Sequence, residues 1–296
     1  VSSSGNGIKV WERIEELLKK THTSYEAFIL SRPGEATILA SRLSRRAPCT
    51  IVSVGGDGTI NEIINGIQNF EQVTFASIST GSGNDFGRGL RLPASPEAML
   101  RCILHPVRFA RINIGTVSSG RKIRRFAVSA GIGFDAEICY GVSRSRLKPL
   151  LNKVHAGKLI YTAVALKQLL TMKRQPLRIV VDGSRLISCQ NAYFTSIMNL
   201  PFEGGGYRFC PEARPNDDQL DLCIVDRLPR ILALLCFPIA RVGKHTDING
   251  IQIVRCRRAT IQNKTPLCVH VDGEHFGFCD KITVQTQVHK LTVITG

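Results

Sequence analysis

The chain has 296 residues, 43% of them hydrophobic and 21% charged, the balance of an ordinary globular protein with room for one large domain or two modest ones. No stretch approaches the roughly 18 uninterrupted apolar residues of a bilayer span, since the most apolar run, Ile231–Ala240, is short and contains Pro238. The formal net charge of +16 points to an anionic partner (nucleic acid, acidic lipid headgroups or a phosphorylated substrate) or to plain solubility.

In chain order, the start Val1–Gly7 is polar and glycine-rich, unlike a secretory signal. Lys9–Lys20 has helical spacing through Val10, Ile14, Leu17 and Leu18, and Ser24–Leu30 reads as a strand. Glu35–Arg46 reads as a helix, Thr50–Val54 as a β-rich run with Ile51–Val54 as a buried strand, and Thr59–Ile67 as a helix. Val73–Ile78 is a further strand and Pro96–Leu104 a further helix. This alternation with short links predicts a mostly parallel sheet covered on both faces.

From about Phe109 the strands follow one another without helices. They are "RFARINIGTV", "RRFAVSAGIGF", "LRIVVDG", "AYFTSIMNL", "LDLCIVD", "GIQIVRCRRATIQ", "LCVHVDGE" and "KITVQTQ". Asp182-Gly183 and Asp272-Gly273 mark tight turns between them. One helical stretch, Gly157–Lys173, interrupts the series. The expected fold class is therefore α/β plus all-β: an N-terminal three-layer α/β domain over residues 1–107, rejoined by a strand within 288–296, and an antiparallel β-sandwich or barrel over 108–287. The ten cysteines contain no CxxC pair, and the intervals Cys210–Cys223–Cys236 match no zinc module, so buried free thiols in a reducing compartment are expected.

Three glycine-rich stretches carry the chemistry. In "IVSVGGDGTINEIINGI", Gly55 and Gly56 let the backbone turn and approach a ligand with no Cβ in the way. Thr59 can cap the next helix, whose first amides favour an anion at the carboxyl end of a parallel strand. Asp57 would repel a bare phosphate, but fits if a divalent cation bridges acid and phosphate. A glycine turn with a capping acid is the plainer reading.

The second stretch, "STGSGNDFGRG", also follows an apolar strand. It offers Gly81, Ser82 and Gly83 as close backbone, Asn84 and Asp85 for ribose or phosphate, and Arg88 as a fixed charge. A third, "SSSGNG", opens the chain. None of the three matches the P-loop or the dinucleotide fingerprint.

"VGGDGTINEIINGI" with "GSGNDFGRGL" resembles the diacylglycerol kinase catalytic family, the small soluble lipid kinases related to sphingosine, ceramide and NAD kinases. The likeness continues in "SAGIGFDAEI", "GGGYRFCPEARPNDDQLDLCIVD" and "VDGEHF", in the family's order over nearly the whole chain. It implies an N-terminal nucleotide domain and a C-terminal lipid domain, with the active site between them.

It implies that the Gly56–Asn61 loop, including Gly58 and Thr59, binds ATP, with Gly55, Ser82, Asn84, Asp85 and the Ser4-Gly5 turn contributing. Asp57 would hold Mg2+ or orient the phosphates, Glu274 would be the proton acceptor, and Asp135 would line the site. Asp217, with the carbonyls of Arg214 and Gln219, would form a structural Mg2+ site. Val1, Ser2 and Ser3 stand where the family usually has Asn-Pro, and Gln219 follows Asp217-Asp218 where Asp-Gly is typical.

Glu274 on its Asp-Gly turn suits a base that activates a lipid hydroxyl, or is simply a solvated turn acid. Asp272 is expected to serve the turn, and His270 and His275 to be bystanders. Asp217-Asp218 suits a hard cation or a solvated loop.

The leading expectation is an ATP- and Mg2+-dependent lipid kinase for diacylglycerol or a relative. The alternatives are a kinase for a soluble substrate such as NAD and a non-catalytic nucleotide-binding module. With no recognition helix or stacking platform in view, no nucleic-acid partner is expected, and a homodimer is left open. The protein is expected to be cytoplasmic and peripheral at an anionic membrane face. Arg121–Arg125, Arg144–Lys153, Arg255–Arg258 and the helix Gly157–Lys173 are the candidate contacts, or else solvated surface and core.

Overall fold

The computed structural model describes residues 6–45, 48–81, 83–143, 164, 167–169 and 171–296. The chain forms two units, Val1–Ile112 with His289–Gly296, and Asn113–Val288. The first is α/β and the second β-rich.

The first unit holds a four-stranded sheet. Its strands are β1 (Cys49–Gly55), β2 (Val73–Ser79), β3 (Phe109–Ile112) and β13 (Leu291–Ile294), in the order β1-β2-β13-β3. The β1–β2 and β2–β13 pairs are parallel, and β13–β3 is antiparallel. β2 is almost wholly buried because it lies inside the sheet. β1, expected to be buried on both faces, alternates instead: Ile51 and Ser53 are covered while Val52 is 38% exposed, as suits a sheet edge.

α1 (Asn6–Lys20) and α5 (Pro96–Leu104) cover one face, where Ile14, Leu18, Met99 and Leu100 meet Ala76, Ile78 and Ile294. The start of α5 is set by Ser95, whose hydroxyl accepts from Ala98 N at 3.0 Å, and by Pro96 in the first turn. α2 (Glu35–Leu43) packs tightly on α3 (Asp57–Gly66), since Gly66 has no Cβ to meet the Thr37 carbonyl.

Ser24–Leu30 forms no strand. Its aromatic residues find partners on helices instead of in a ladder: Tyr25 lies edge-on to Trp11 of α1 at 6.0 Å, and Phe28 lies under Arg42 of α2 at 6.0 Å.

The second unit is one nine-stranded sheet among the described residues. Its strands are β4 (Gly115–Ser119), β5 (Lys122–Phe126), β6 (Ser129–Gly133), β7 (Gln175–Val181), β8 (Arg185–Met198), β9 (Leu220–Asp226), β10 (Ile251–Cys256), β11 (Arg258–Val271) and β12 (Glu274–Thr286). The order is β10-β9-β8-β6-β11-β12-β4-β5, and β7 pairs with both β8 and β11. The long β8 and β11 therefore meet twice, through β6 at one end and β7 at the other, which closes the sheet around a core. Ile132, Ile179, Leu222, Ile261 and Ile282 lie in that core.

Among the described residues, helices α6 (Phe134–Ser143) and α7 (Arg230–Val242) pack on this sheet. The helical stretch expected at Gly157–Lys173 lies largely outside the described residues, as do Arg144, Arg146, Lys148 and Lys153. All ten cysteines are free, and seven are buried. Among the described residues no helix is long and apolar enough to cross a membrane.

Candidate active site

In the first unit β1 delivers the chain to Gly55, and α3 begins at Asp57, two residues before the predicted start. Thr59 is therefore inside the first turn and does not cap it. Gly56 is the cap residue, and the Thr59 and Ile60 amides turn back to its carbonyl at 3.0 and 3.2 Å. The Thr59 hydroxyl folds over Gly55, 2.8 Å from where a Cβ would stand, which explains that glycine. The first amides of α3, around Asp57 and Gly58, have no partner inside the helix and carry the positive end of its dipole.

The second glycine loop is stitched beside the first. Thr80 N donates to the Gly55 carbonyl at 2.9 Å, and a Cβ on Gly56 would lie 3.8 Å from Gly81 Cα. Asp57 joins the two: its Oδ2 accepts from Asp85 N and its Oδ1 from Phe86 N, each at 3.2 Å. It thereby caps the short α4 (Asp85–Gly89). Asn84 sits in the left-handed region (φ 48°), and its Oδ1 occupies the space beside Gly87. Asp85 is buried and paired with Arg88, which also donates to the Gly83 carbonyl at 2.9 Å.

Asn61 is fully buried and accepts from Asn65 Nδ2 at 3.3 Å. Ser4, Gly5 and Ser82 lie outside the described residues. The donor set fits a phosphate with a hard cation. Unpartnered amides and Cβ-free backbone line the loop, and a carboxylate has about four lone-pair sites, of which amides take two at Asp57.

In the second unit a row of residues crosses three neighbouring strands. His270 of β11 stands opposite Gly131 of β6, and Gly131 opposite Ser196 of β8. The missing side chain at Gly131 opens a space that Asp135, from the first turn of α6, fills: a Cβ on Gly131 would collide with Asp135 Oδ2 and with His270 Nε2. Glu203 completes the group. His270 Nε2 lies 3.1 Å from Glu203 Oε1 and 3.4 Å from Asp135 Oδ2, and all three residues are buried. The outer atoms are tied as well: Ser196 donates to Glu203 Oε2 at 2.6 Å, Ala136 N to Asp135 Oδ1 at 2.7 Å and Gly273 N to His270 Nδ1 at 3.2 Å.

Two carboxylates and an imidazole this close could by distance hold a cation. The polarity argues otherwise. An Nε2 that binds a metal normally leaves a proton on Nδ1 for an acceptor, but here Nδ1 itself accepts from Gly273. The proton therefore sits on Nε2 and points at both acids. Two ionised carboxylates in so buried a place repel, so one keeps a proton. Burial pushes the Asp135 carboxyl above its ordinary range, against the pull of His270. Burial acts on Glu203 in the same sense, but the His270 ring and the Ser196 hydroxyl outweigh it and hold that acid low. Burial and the nearby acids push the Cys139 thiol of α6 up to about 11, so it is no nucleophile at neutral pH.

Glu274 stands next door, exposed, at the start of β12 after a two-residue turn in which Asp272 (φ 49°) and Gly273 (φ 80°) are both left-handed. Asp272 does more than serve that turn: its carboxylate accepts from Ala127, Val128 and Ser129 amides at 3.0, 2.9 and 3.0 Å. His275 packs against Tyr140 at 4.5 Å and Phe278 at 5.4 Å.

In the loop before β9, Asp217 Oδ1 accepts from the Gln219 amide at 3.0 Å, and Asp218 takes a left-handed turn (φ 62°). The other Asp217 oxygen and the loop carbonyls, those of Arg214 and Gln219 among them, are hard donors of the kind Mg2+ takes.

Asp135 and Glu274 are legible in the sequence, whereas His270, expected to be a bystander, and Glu203, which lies in no motif, are not. His270 is instead the centre of the buried group. The available signal was an acid in an apolar run, "NLPFEGGG", and a histidine at a strand position otherwise filled by Val269 and Val271.

Residues 127–295 match the family described as the YegS C-terminal NAD kinase beta sandwich-like domain, and residues 1–117 match the diacylglycerol kinase catalytic domain. YtlR of Bacillus subtilis strain 168 is 26% identical over 280 residues, covering 92% of this chain and 90% of that protein. A diacylglycerol kinase of Staphylococcus aureus strain JH9 is 27% identical over 278 residues, 93% of this chain and 84% of its own. In fold, the chain is similar to a diacylglycerol kinase from Bacillus anthracis str. Sterne, with a TM-score of 0.66 at 20% identity over 90% of this chain and 83% of that one.

Proposed function

From a chain that belongs to the family joining a diacylglycerol kinase catalytic domain to a YegS-type C-terminal domain, we propose an ATP- and Mg2+-dependent lipid kinase that phosphorylates the hydroxyl of diacylglycerol or a related lipid. The observation that carries this reading is the Asp57 carboxylate binding the amides of the second glycine loop. It joins two glycine loops beside the first amides of α3 with an acid at their edge, an arrangement that suits phosphoryl transfer with a divalent cation better than it suits a plain turn.

In this reading the α3 amides and Gly56 receive the nucleotide phosphates, and Asn84, Asp85 and Thr59 shape the loop around them. Asp57 holds the catalytic cation, and the Asp217 loop holds a structural one. The nucleotide would supply the γ-phosphoryl group, and a cation held by Asp57 would neutralise charge on it. Glu274 takes the proton from the lipid hydroxyl as its oxygen bonds to phosphorus, and the bond to the bridging oxygen breaks. Asp135 contacts the polar part of the acceptor, with its orientation fixed by His270. The protein works at the cytoplasmic face of an anionic membrane.

The test is transfer from γ-labelled ATP with Mg2+ to a panel of lipids in mixed micelles, with NAD as a competing acceptor. A single labelled lipid, lost in Asp57→Asn and Glu274→Gln, supports the reading. Label on NAD alone, or none with any acceptor, overturns it.

A further inference from the structure

Helix α7 is apolar on every side, yet among the described residues protein covers only one. Ala233, Cys236 and Ala240 follow at helical spacing and are buried against the sheet. On the other side Ile231, Leu234, Leu235, Pro238 and Val242 follow at i, i+3, i+4, i+7 and i+11, one continuous stripe. Ile231 is 77% exposed, Leu235 55% and Val242 59%. A helix without a polar face normally lies wholly inside a protein or in lipid.

The charges frame this stripe. From Arg227 to Thr246 the chain has no acid, and the exposed Arg227, Arg230, Arg241 and Lys244 stand at the two ends of the helix. Thirteen residues are too few to span a bilayer. Pro238 also removes the amide that would bond the Leu234 carbonyl, leaving a polar group on the open side. Such a group is tolerated among headgroups and not in hydrocarbon.

We propose that the open face of α7 is a membrane-docking surface, lying flat in the headgroup–acyl boundary of an anionic bilayer. Ile231, Leu234, Leu235 and Val242 enter the apolar layer, and the flanking cations face lipid phosphates. A bilayer offers both the apolar depth and the anionic rim that this face presents. The proposal rests on the lipid-kinase reading for its choice of a bilayer, and its test is read separately.

The test is co-sedimentation, without nucleotide, on vesicles of equal parts phosphatidylglycerol and phosphatidylcholine, and on phosphatidylcholine alone. The wild type is expected to bind the anionic vesicles, more weakly as salt rises, and Ile231→Gln/Leu235→Gln to bind about tenfold less well. Both positions are exposed, so the variant is expected to fold. Its phosphoryl transfer to water-dispersed short-chain diacylglycerol should match the wild type. Loss of that transfer in both proteins would sink the kinase reading and leave the docking result standing. Equal vesicle binding by variant and wild type overturns the proposal, as does equal binding to neutral vesicles. So does a dimer in sedimentation that the variant abolishes, which would assign the stripe to a second copy of the chain.

Discussion

His270 accepts a hydrogen bond at Nδ1 from the amide of Gly273, 3.2 Å away, in the turn that carries Glu274. That contact fixes the ring proton on Nε2, between Asp135 and Glu203. Nitrogen-15 spectra of labelled imidazoles should therefore show a buried histidine in the Nε2–H form, unchanged by added Zn2+ or Mg2+. A proton on Nδ1 with metal retained through dialysis would mean a metal centre instead.

The raised Asp135 carboxyl ties stability to pH. A carboxyl that holds its proton more tightly folded than unfolded contributes stability that is fully present below its ordinary pKa and fades as pH rises through the folded value. Asp135→Asn, which imitates the protonated acid, should gain in melting temperature relative to wild type as pH goes from 5 to 8, by about a few degrees. A difference independent of pH would show that Asp135 is ionised throughout.

Asp272 and Glu274, two residues apart, should fail in opposite ways. Asp272→Ala strands the buried amides of Ala127, Val128 and Ser129 and places alanine in the left-handed region, a cost of about 3–5 kcal/mol in urea unfolding. Glu274→Gln is exposed and should leave stability unchanged while lowering kcat about 10²–10⁴-fold. If Glu274→Gln keeps full activity, the base is another residue.

Gly131 is glycine because Asp135 and His270 occupy its side-chain space. Gly131→Ala should destabilise by about 2–3 kcal/mol. Asp135→Ala vacates that space, so the double variant should cost clearly less than the sum of the two single changes. Strict additivity in a double-mutant cycle would mean the methyl group is accommodated some other way.

The parts visible in the sequence are those whose cause is local. β2 shows in its β-branched run, α5 in Ser95-Pro96, and the hairpin before β12 in Asp272-Gly273. The expected start of α3 falls two residues late because Thr59 looks like a cap, while the Gly56 carbonyl in fact receives the first amides. Ser24–Leu30 has strand composition, but its aromatic residues are satisfied by Trp11 and Arg42 on helices. α7 showed only as an apolar run, since a helix without a polar face has no period to detect. The His270 group depends on register: Gly131, Ser196 and His270 share one row across three strands, and no short-range pattern announces that.

β13 lies between β2 and β3, and it belongs to the same unit as they do. A ribosome therefore finishes the entire β-rich unit before it supplies the strand that joins them. During synthesis β3 has a bare edge and no neighbour, while the later unit already has all of its own strands. The expected birth order is inverted: the second unit matures first, and the glycine loops at the ends of β1 and β2 settle last. A stall or cleavage between Thr286 and Leu291 would leave a complete β fold attached to an unfinished, aggregation-prone sheet.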